Sequence, residues 1–158
     1  MSIRPVAELI PHQPPMRLIN EVMAHTRDAI WCTLSDYNTP FTGSEGIHSC
    51  VGIELLAQTA AAFFTIEASD GAEVRQGMLI ASRKYEAAVP LFPLHQPLLI
   101  FATPVSPISD TGNGHNLVKF RGEIHPFDPD QLPFVPDTWR SQYLADDAWV
   151  TADLSVYI

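Results

Sequence analysis

From residue 51 to residue 68 nearly every position is apolar; the run is rich in alanine and leucine and holds no proline. A helix that is apolar on all sides is a buried one, and this stretch is the one long helix the pattern predicts. Ser49 stands where an N-cap would be expected. Two polar side chains interrupt the run, Glu54 and Gln58, and their spacing of four puts them on one helix face. Elsewhere the pattern belongs to strands. Residues 16–34 read as a hairpin with a polar turn at Thr26, Arg27 and Asp28. After a loop at 39–49 and the helix, the chain turns at Gly71 into strands at 77–88, 98–103, 115–125 and 149–158, the last with clear alternation. A proline-rich link covers 90–97, and turn residues fill 110–115. Pro11, Pro14 and Pro15 break regular structure after a short N-terminal helical turn. Residues 126–148, with four prolines and five aspartates, read as an irregular insertion that either covers a site or elaborates the surface. Two strands, one buried helix and about four strands imply an α+β architecture, with the helix on one face of an antiparallel sheet.

A chain of 158 residues, 46% hydrophobic and 17% charged, suits a single globular domain spanning 1–158. The net charge of −9, with no run of Lys or Arg, argues against nucleic acid as a partner. The longest uninterrupted apolar stretch, 59–66, is too short for a bilayer, and the first residues lack a signal pattern. The expectation is therefore a cytoplasmic protein without a membrane partner. Cys32 and Cys50 are expected to be free and mostly buried. The scattered histidines and cysteines show no metal-ligand spacing, so no metal is expected.

Glu54 is the residue that needs a reason. A carboxylate in the first turn of a helix gains about 0.3–1 kcal/mol from the helix dipole, so it could simply be a helix-start residue satisfied by backbone donors. Alternatively, a carboxyl in an apolar setting can act as a general acid, with Gln58 fixing its rotamer. Backbone N–H groups around Ser49, Cys50 and Gly52 could bind a substrate carbonyl, and Gly52 would let a ligand come close. His48, just before the helix, and His12, in a proline-bounded turn, are candidate bases, although either could be solvated or structural. Cys50 could serve as a nucleophile, with no second group to support it.

Several segments resemble one family in order. Leu9-Ile-Pro-His-Gln-Pro-Pro-Met-Arg-Leu-Ile-Asn-Glu-Val resembles the opening L-P-H-x-x-P-[MF]-x-L-[LI]-[DN]-x-V of FabZ/FabA-type 3-hydroxyacyl-(acyl carrier protein) dehydratases. Gly52-Ile-Glu-Leu-Leu-Ala-Gln-Thr-Ala-Ala resembles their E-x-[ML]-A-Q central helix, and Gly77-Met-Leu-Ile-Ala-Ser-Arg-Lys-Tyr-Glu the strand that follows. Pro93-Leu-His-Gln-Pro-Leu stands at the P-G-D-x-L turn, and Leu154-Ser-Val-Tyr closes the chain as in the ApeP-like branch. The resemblance implies a hotdog fold, a long central helix wrapped by a curved antiparallel sheet. It also implies dimers, homomeric or with another hotdog subunit, whose shared sites take a histidine from one subunit and an acid from the other. The implied reaction converts a 3-hydroxyacyl thioester, on acyl carrier protein or CoA, to a trans-2-enoyl thioester in fatty-acid or polyene-type synthesis, with no cofactor. Against the net acidity, Arg83-Lys84 is the candidate local docking patch for an acidic carrier.

The sequence departs from this family at the loop that carries its catalytic histidine. The G-H-F-P-G-x-P-x-x-P-G segment is missing, and a shorter path runs from Phe41 to Glu54. Glu54 carries over; His48 does not align with the family histidine. Three expectations stand: an active dehydratase with Glu54 as acid and His48 or His12 as a relocated base; an impaired hotdog subunit that pairs with an active one or binds acyl groups; or an acyl thioesterase in which Glu54 activates water.

Overall fold

The strands follow the alternation of the sequence closely. In the computed structural model, which describes residues 3–68, 74, 76–106, 109–110, 112, 116–131 and 133–158, they are β1 (Glu21–Thr26), β2 (Ala29–Leu34), β3 (Gly46–His48), β4 (Met78–Ala87), β5 (Leu91–Pro93), β6 (Leu98–Pro104), β7 (Ser109–Asp110), β8 (Asn116–Pro126) and β9 (Val150–Tyr157). The turn expected after Gly71 and most of that expected at 110–115 lie outside the described residues. The main sheet runs β1-β2-β6-β8-β9-β4, with β7 paired to β8, and every pairing is antiparallel. Two short strands, β3 within the expected loop at 39–49 and β5 within the expected link at 90–97, pair separately beside the start of the helix.

The helix α1 spans Gly52–Glu67 and is entered through a 3-10 turn at Ser49–Val51. Ser49 therefore does not cap α1. The 3-10 turn is capped instead by the His48 side chain, whose Nδ1 accepts the Cys50 N–H at 3.1 Å. The Ser49 hydroxyl donates to the Pro90 carbonyl at 3.1 Å and ties the helix entrance to β5. With its turn, the helical run Ser49–Glu67 is 19 residues long, enough by length and composition to cross a membrane, but here it packs against the sheet. Leu55, Leu56, Ala60, Ala62 and Phe63 meet the inward residues of β2, β6, β8 and β9: Ile30, Cys32, Leu98, Ile100, Phe120, Ile124, Val150 and Leu154. The helix packs tightly over Gly122, where a Cβ would stand 2.5 Å from a methyl of the buried Leu56 and force that side chain to shift.

The insertion is not a surface elaboration. It folds into a 3-10 turn at Pro129–Gln131, a short helix α2 at Trp139–Gln142 and another 3-10 turn at Ala145–Asp147. Phe127, Trp139 and Tyr143 pack with Trp31, Leu99 and Phe101 on the outer face of β2 and β6. This second apolar layer explains why all six residues of β2 are buried: one face meets α1, the other the insertion. At the opposite end of the sheet, β4 is an edge strand that exposes Met78 (65%) and Ile80 (55%).

Candidate active site

The polar interruptions of α1 are explained by the arm that precedes β1. Thr65 on α1 donates to the Leu9 carbonyl at 2.7 Å and fixes the arm at one end. Gln58, fully buried, fixes it at the other. Its Oε1 accepts the Leu18 N–H at 2.9 Å and the Ile19 N–H at 3.4 Å, and its Nε2 donates to the Met16 carbonyl at 2.8 Å. An amide needs partners for all these atoms when it is buried, and here the chain supplies them.

The same Nε2 also donates to Glu54 Oε1 at 2.9 Å, the contact that the spacing of four predicted. Between its two anchor points the arm brings His12 over, placing its Nε2 3.3 Å from Glu54 Oε1. Two lone pairs facing each other would repel, so the ring edge toward the carboxylate carries a proton. His12 Nδ1 is out of reach of solvent and has no partner among the described residues. The Glu54 side chain is 34% exposed, and no hydrogen bond among the described residues ends on its Oε2. One carboxylate oxygen thus has both the Gln58 amide and the His12 ring beside it, while the other takes no hydrogen bond among the described residues.

The remaining candidates do other things. His48 is exposed and spends Nδ1 on the Cys50 N–H, so its neutral ring carries the proton on Nε2. Cys50 is exposed and free, whereas Cys32 is buried and free; burial pushes the Cys32 thiol up to about 12. The close approach at Gly52 is made by the chain itself. A Cβ there would lie 2.5 Å from the Tyr85 hydroxyl and 2.9 Å from an Ile124 methyl, so the glycine admits β4 and β8 rather than a ligand. Tyr85, which sequence reasoning had passed over, donates to the Ser49 carbonyl and pins the helix entrance from β4. Burial first, then the nearby Cys50, pushes its phenol up to about 12, so it remains a donor. Among the described residues, no cluster of three or more His, Cys, Asp or Glu side chains is placed to hold a metal ion.

A family model, ApeP-like (ApeP dehydratase), matches residues 4–132. No curated protein matches the chain in sequence. Among solved structures, the dehydratase heterocomplex ApeI:P from Xenorhabdus doucetiae is similar at a TM-score of 0.76 and 21% identity, over 99% of this chain and 91% of that one. Cj0977, a sigma28-regulated virulence protein from Campylobacter jejuni, is similar at a TM-score of 0.59 and 13% identity, over 97% of this chain and 94% of that one. A hypothetical thioesterase with coenzyme A from Streptococcus pneumoniae TIGR4 is similar at 0.53 and 10% identity, over 87% and 83%. At such identities these likenesses speak for the fold, which is the hotdog fold, and the fold by itself hosts more than one chemistry.

Proposed function

The chain belongs to the ApeP-like dehydratase family, and from that premise we propose that it takes part in dehydrating a 3-hydroxyacyl thioester, with Glu54 as the group that protonates the leaving hydroxyl. The observation that carries this reading is the asymmetry of the Glu54 carboxyl. With the Gln58 N–H donating to Oε1 and the His12 ring 3.3 Å from the same atom, the proton of the acid form belongs on Oε2, which takes no hydrogen bond among the described residues. A base takes the α-proton, and the C–H electron pair becomes the α,β double bond. The β-carbon–oxygen bond breaks, and the hydroxyl leaves as water with the Glu54 proton. Atoms and charge balance without a cofactor.

The base belongs, in this reading, to a second hotdog subunit. His12 has one ring nitrogen turned to Glu54 and the other buried, and His48 accepts a backbone N–H, so neither offers an open lone pair. The exposed apolar residues of edge strand β4, Met78 and Ile80, support pairing at that edge. Arg83 and Lys84, exposed on the same strand, suit an acidic carrier that delivers the thioester.

The test supplies 3-hydroxybutyryl-CoA, and the same acyl group on acyl carrier protein, to the chain alone and to the chain co-expressed with a hotdog subunit of its own genome that carries a loop histidine. Ultraviolet absorbance of the conjugated enoyl thioester reports turnover. Activity is expected from the pair and not from the chain alone, and Glu54→Gln in this chain should lower it by about 100-fold or more. Full activity in Glu54→Gln, or release of free thiol in place of enoyl product, would rule the proposal out.

A further inference from the structure

We propose that His12 is a positioning residue for this reaction. It fixes the Glu54 carboxyl, so that the proton of the acid form resides on Oε2, the oxygen away from His12 and Gln58, and does not itself exchange a proton with substrate. The inference rests on the reading of Glu54 as the acid.

Glu54 reaches its carboxyl through three rotatable bonds, and Gln58 alone gives one contact from within the same helix. A single donor leaves the carboxyl plane free to turn about that bond. His12 approaches the same oxygen from a different element, its Nε2 3.3 Å away, and this second polar contact from another direction restricts the turning of the plane. His12 is itself held on both sides. Upstream, the Leu9 carbonyl is bonded to Thr65; downstream, the Met16 carbonyl and the Leu18 and Ile19 amides are bonded to Gln58. Its Nδ1 is enclosed by protein. A flip of the ring would turn a carbon toward Glu54 and forfeit the contact. To act as a base toward an α-carbon, the ring would have to swing off Glu54 or expose Nδ1, and the pinned arm opposes both. The ordinary reading is a partly exposed ion pair that adds little to stability and nothing to the reaction. The two readings differ in what they do to turnover.

His12→Ala, His12→Gln and Glu54→Gln, each in the assembled dehydratase, separate the possibilities. Glutamine keeps an N–H donor near the position of the imidazole Nε2 but cannot act as a base near neutral pH. His12→Ala should lower kcat by about 10- to 100-fold, the scale of misplacing a reacting group, while KM stays within about 2-fold. The thermal unfolding midpoint should not change, and His12→Gln should recover most of kcat. A His12→Gln enzyme as slow as His12→Ala would assign the proton transfer to His12 itself and overturn the inference. So would wild-type kcat in His12→Ala, or a loss that only tracks the unfolding midpoint. If Glu54→Gln also keeps wild-type activity, the acid assignment has failed; if Glu54→Gln is dead while His12→Ala is not, only the positioning role has.

Discussion

Glu123 offers a stability prediction whose size can be worked out from its surroundings. It lies on β8, on the sheet face turned away from α1, and its side chain is only 4% exposed. Arg140 of α2 grips it with both terminal nitrogens at 2.7 Å each, and His125 Nε2 lies 2.9 Å from the same carboxylate. Burial alone would push the Glu123 carboxyl up. The hydrogen bonds from Arg140 and His125, with their charges, outweigh it and hold the group at about 2, below its ordinary 4.5. A carboxyl whose folded value is depressed contributes stability above its unfolded value and loses it as pH falls through the folded one. At about 1.4 kcal/mol per pH unit, the depression corresponds to about 3.5 kcal/mol, gained above pH 4.5 and lost toward pH 2. Arg140 is 43% exposed, and solvent screening brings the expectation to about 2 kcal/mol. Urea unfolding followed by tryptophan fluorescence, with Trp31 and Trp139 inside the affected layer, measures it at pH steps between these limits. Wild type should lose about 2 kcal/mol more than Glu123→Gln over that window. Arg140→Ala at neutral pH should cost about 3 kcal/mol, because it strands a buried carboxylate, whereas Glu123→Leu with Arg140→Met should cost much less. Parallel acid profiles for wild type and Glu123→Gln would refute the reasoning.

Gln58→Leu removes the side chain bonded to the Leu18 amide and should lower unfolding free energy by about 2–3 kcal/mol, measured by urea titration; a cost near zero would mean water replaces the amide. An aromatic disulfide reagent should titrate one thiol in the native protein, Cys50, and a second, Cys32, only on unfolding; a Cys50→Ser variant that still reacts quickly when folded would contradict the burial of Cys32.

The helix, the main strands and the placement of Glu54 beside Gln58 were legible because they depend on local periodicity. Alternation in 149–158 became β9, whose residues are buried and half-buried in strict turn, and the fully apolar run became α1. The partners of the polar residues were not legible. Gln58 meets Leu18 across 40 residues and Met16 across 42, and no window of sequence holds both ends. The readings of Ser49 as a cap and Gly52 as a ligand approach failed for a related reason. Each assumed the local helix start was the whole environment, whereas β5 and β4 bring the Pro90 carbonyl and the Tyr85 hydroxyl against it. His12 and His48 stood as equals in the sequence, and only their contacts separate them: one is turned to Glu54, the other to its own backbone.

The insertion shows how a correct local pattern can still mislead. On β8, Lys119, Arg121, Glu123 and His125 alternate with Val118, Phe120, Gly122 and Ile124, which reads as a strand with one wet face. That holds as far as Arg121, which is exposed, and fails at Glu123 and His125, which are buried. The difference is Trp139 and Arg140. The indole of Trp139 fills the gap beside Phe101 at 4.4 Å between ring centroids, and the Arg140 guanidinium lies 4.0 Å from the Trp139 ring while gripping Glu123. The four prolines and five aspartates of 126–148 made it read as an irregular insertion, but its few aromatic residues carry the packing. A layer so attached covers the outer face of β2 and β6. The edge of β4, by contrast, still offers unpaired backbone and exposed apolar side chains. Tyr85 on that strand reaches the entrance of the helix that carries Glu54, so the β4 edge and the candidate acid are joined through one hydrogen bond to the Ser49 carbonyl.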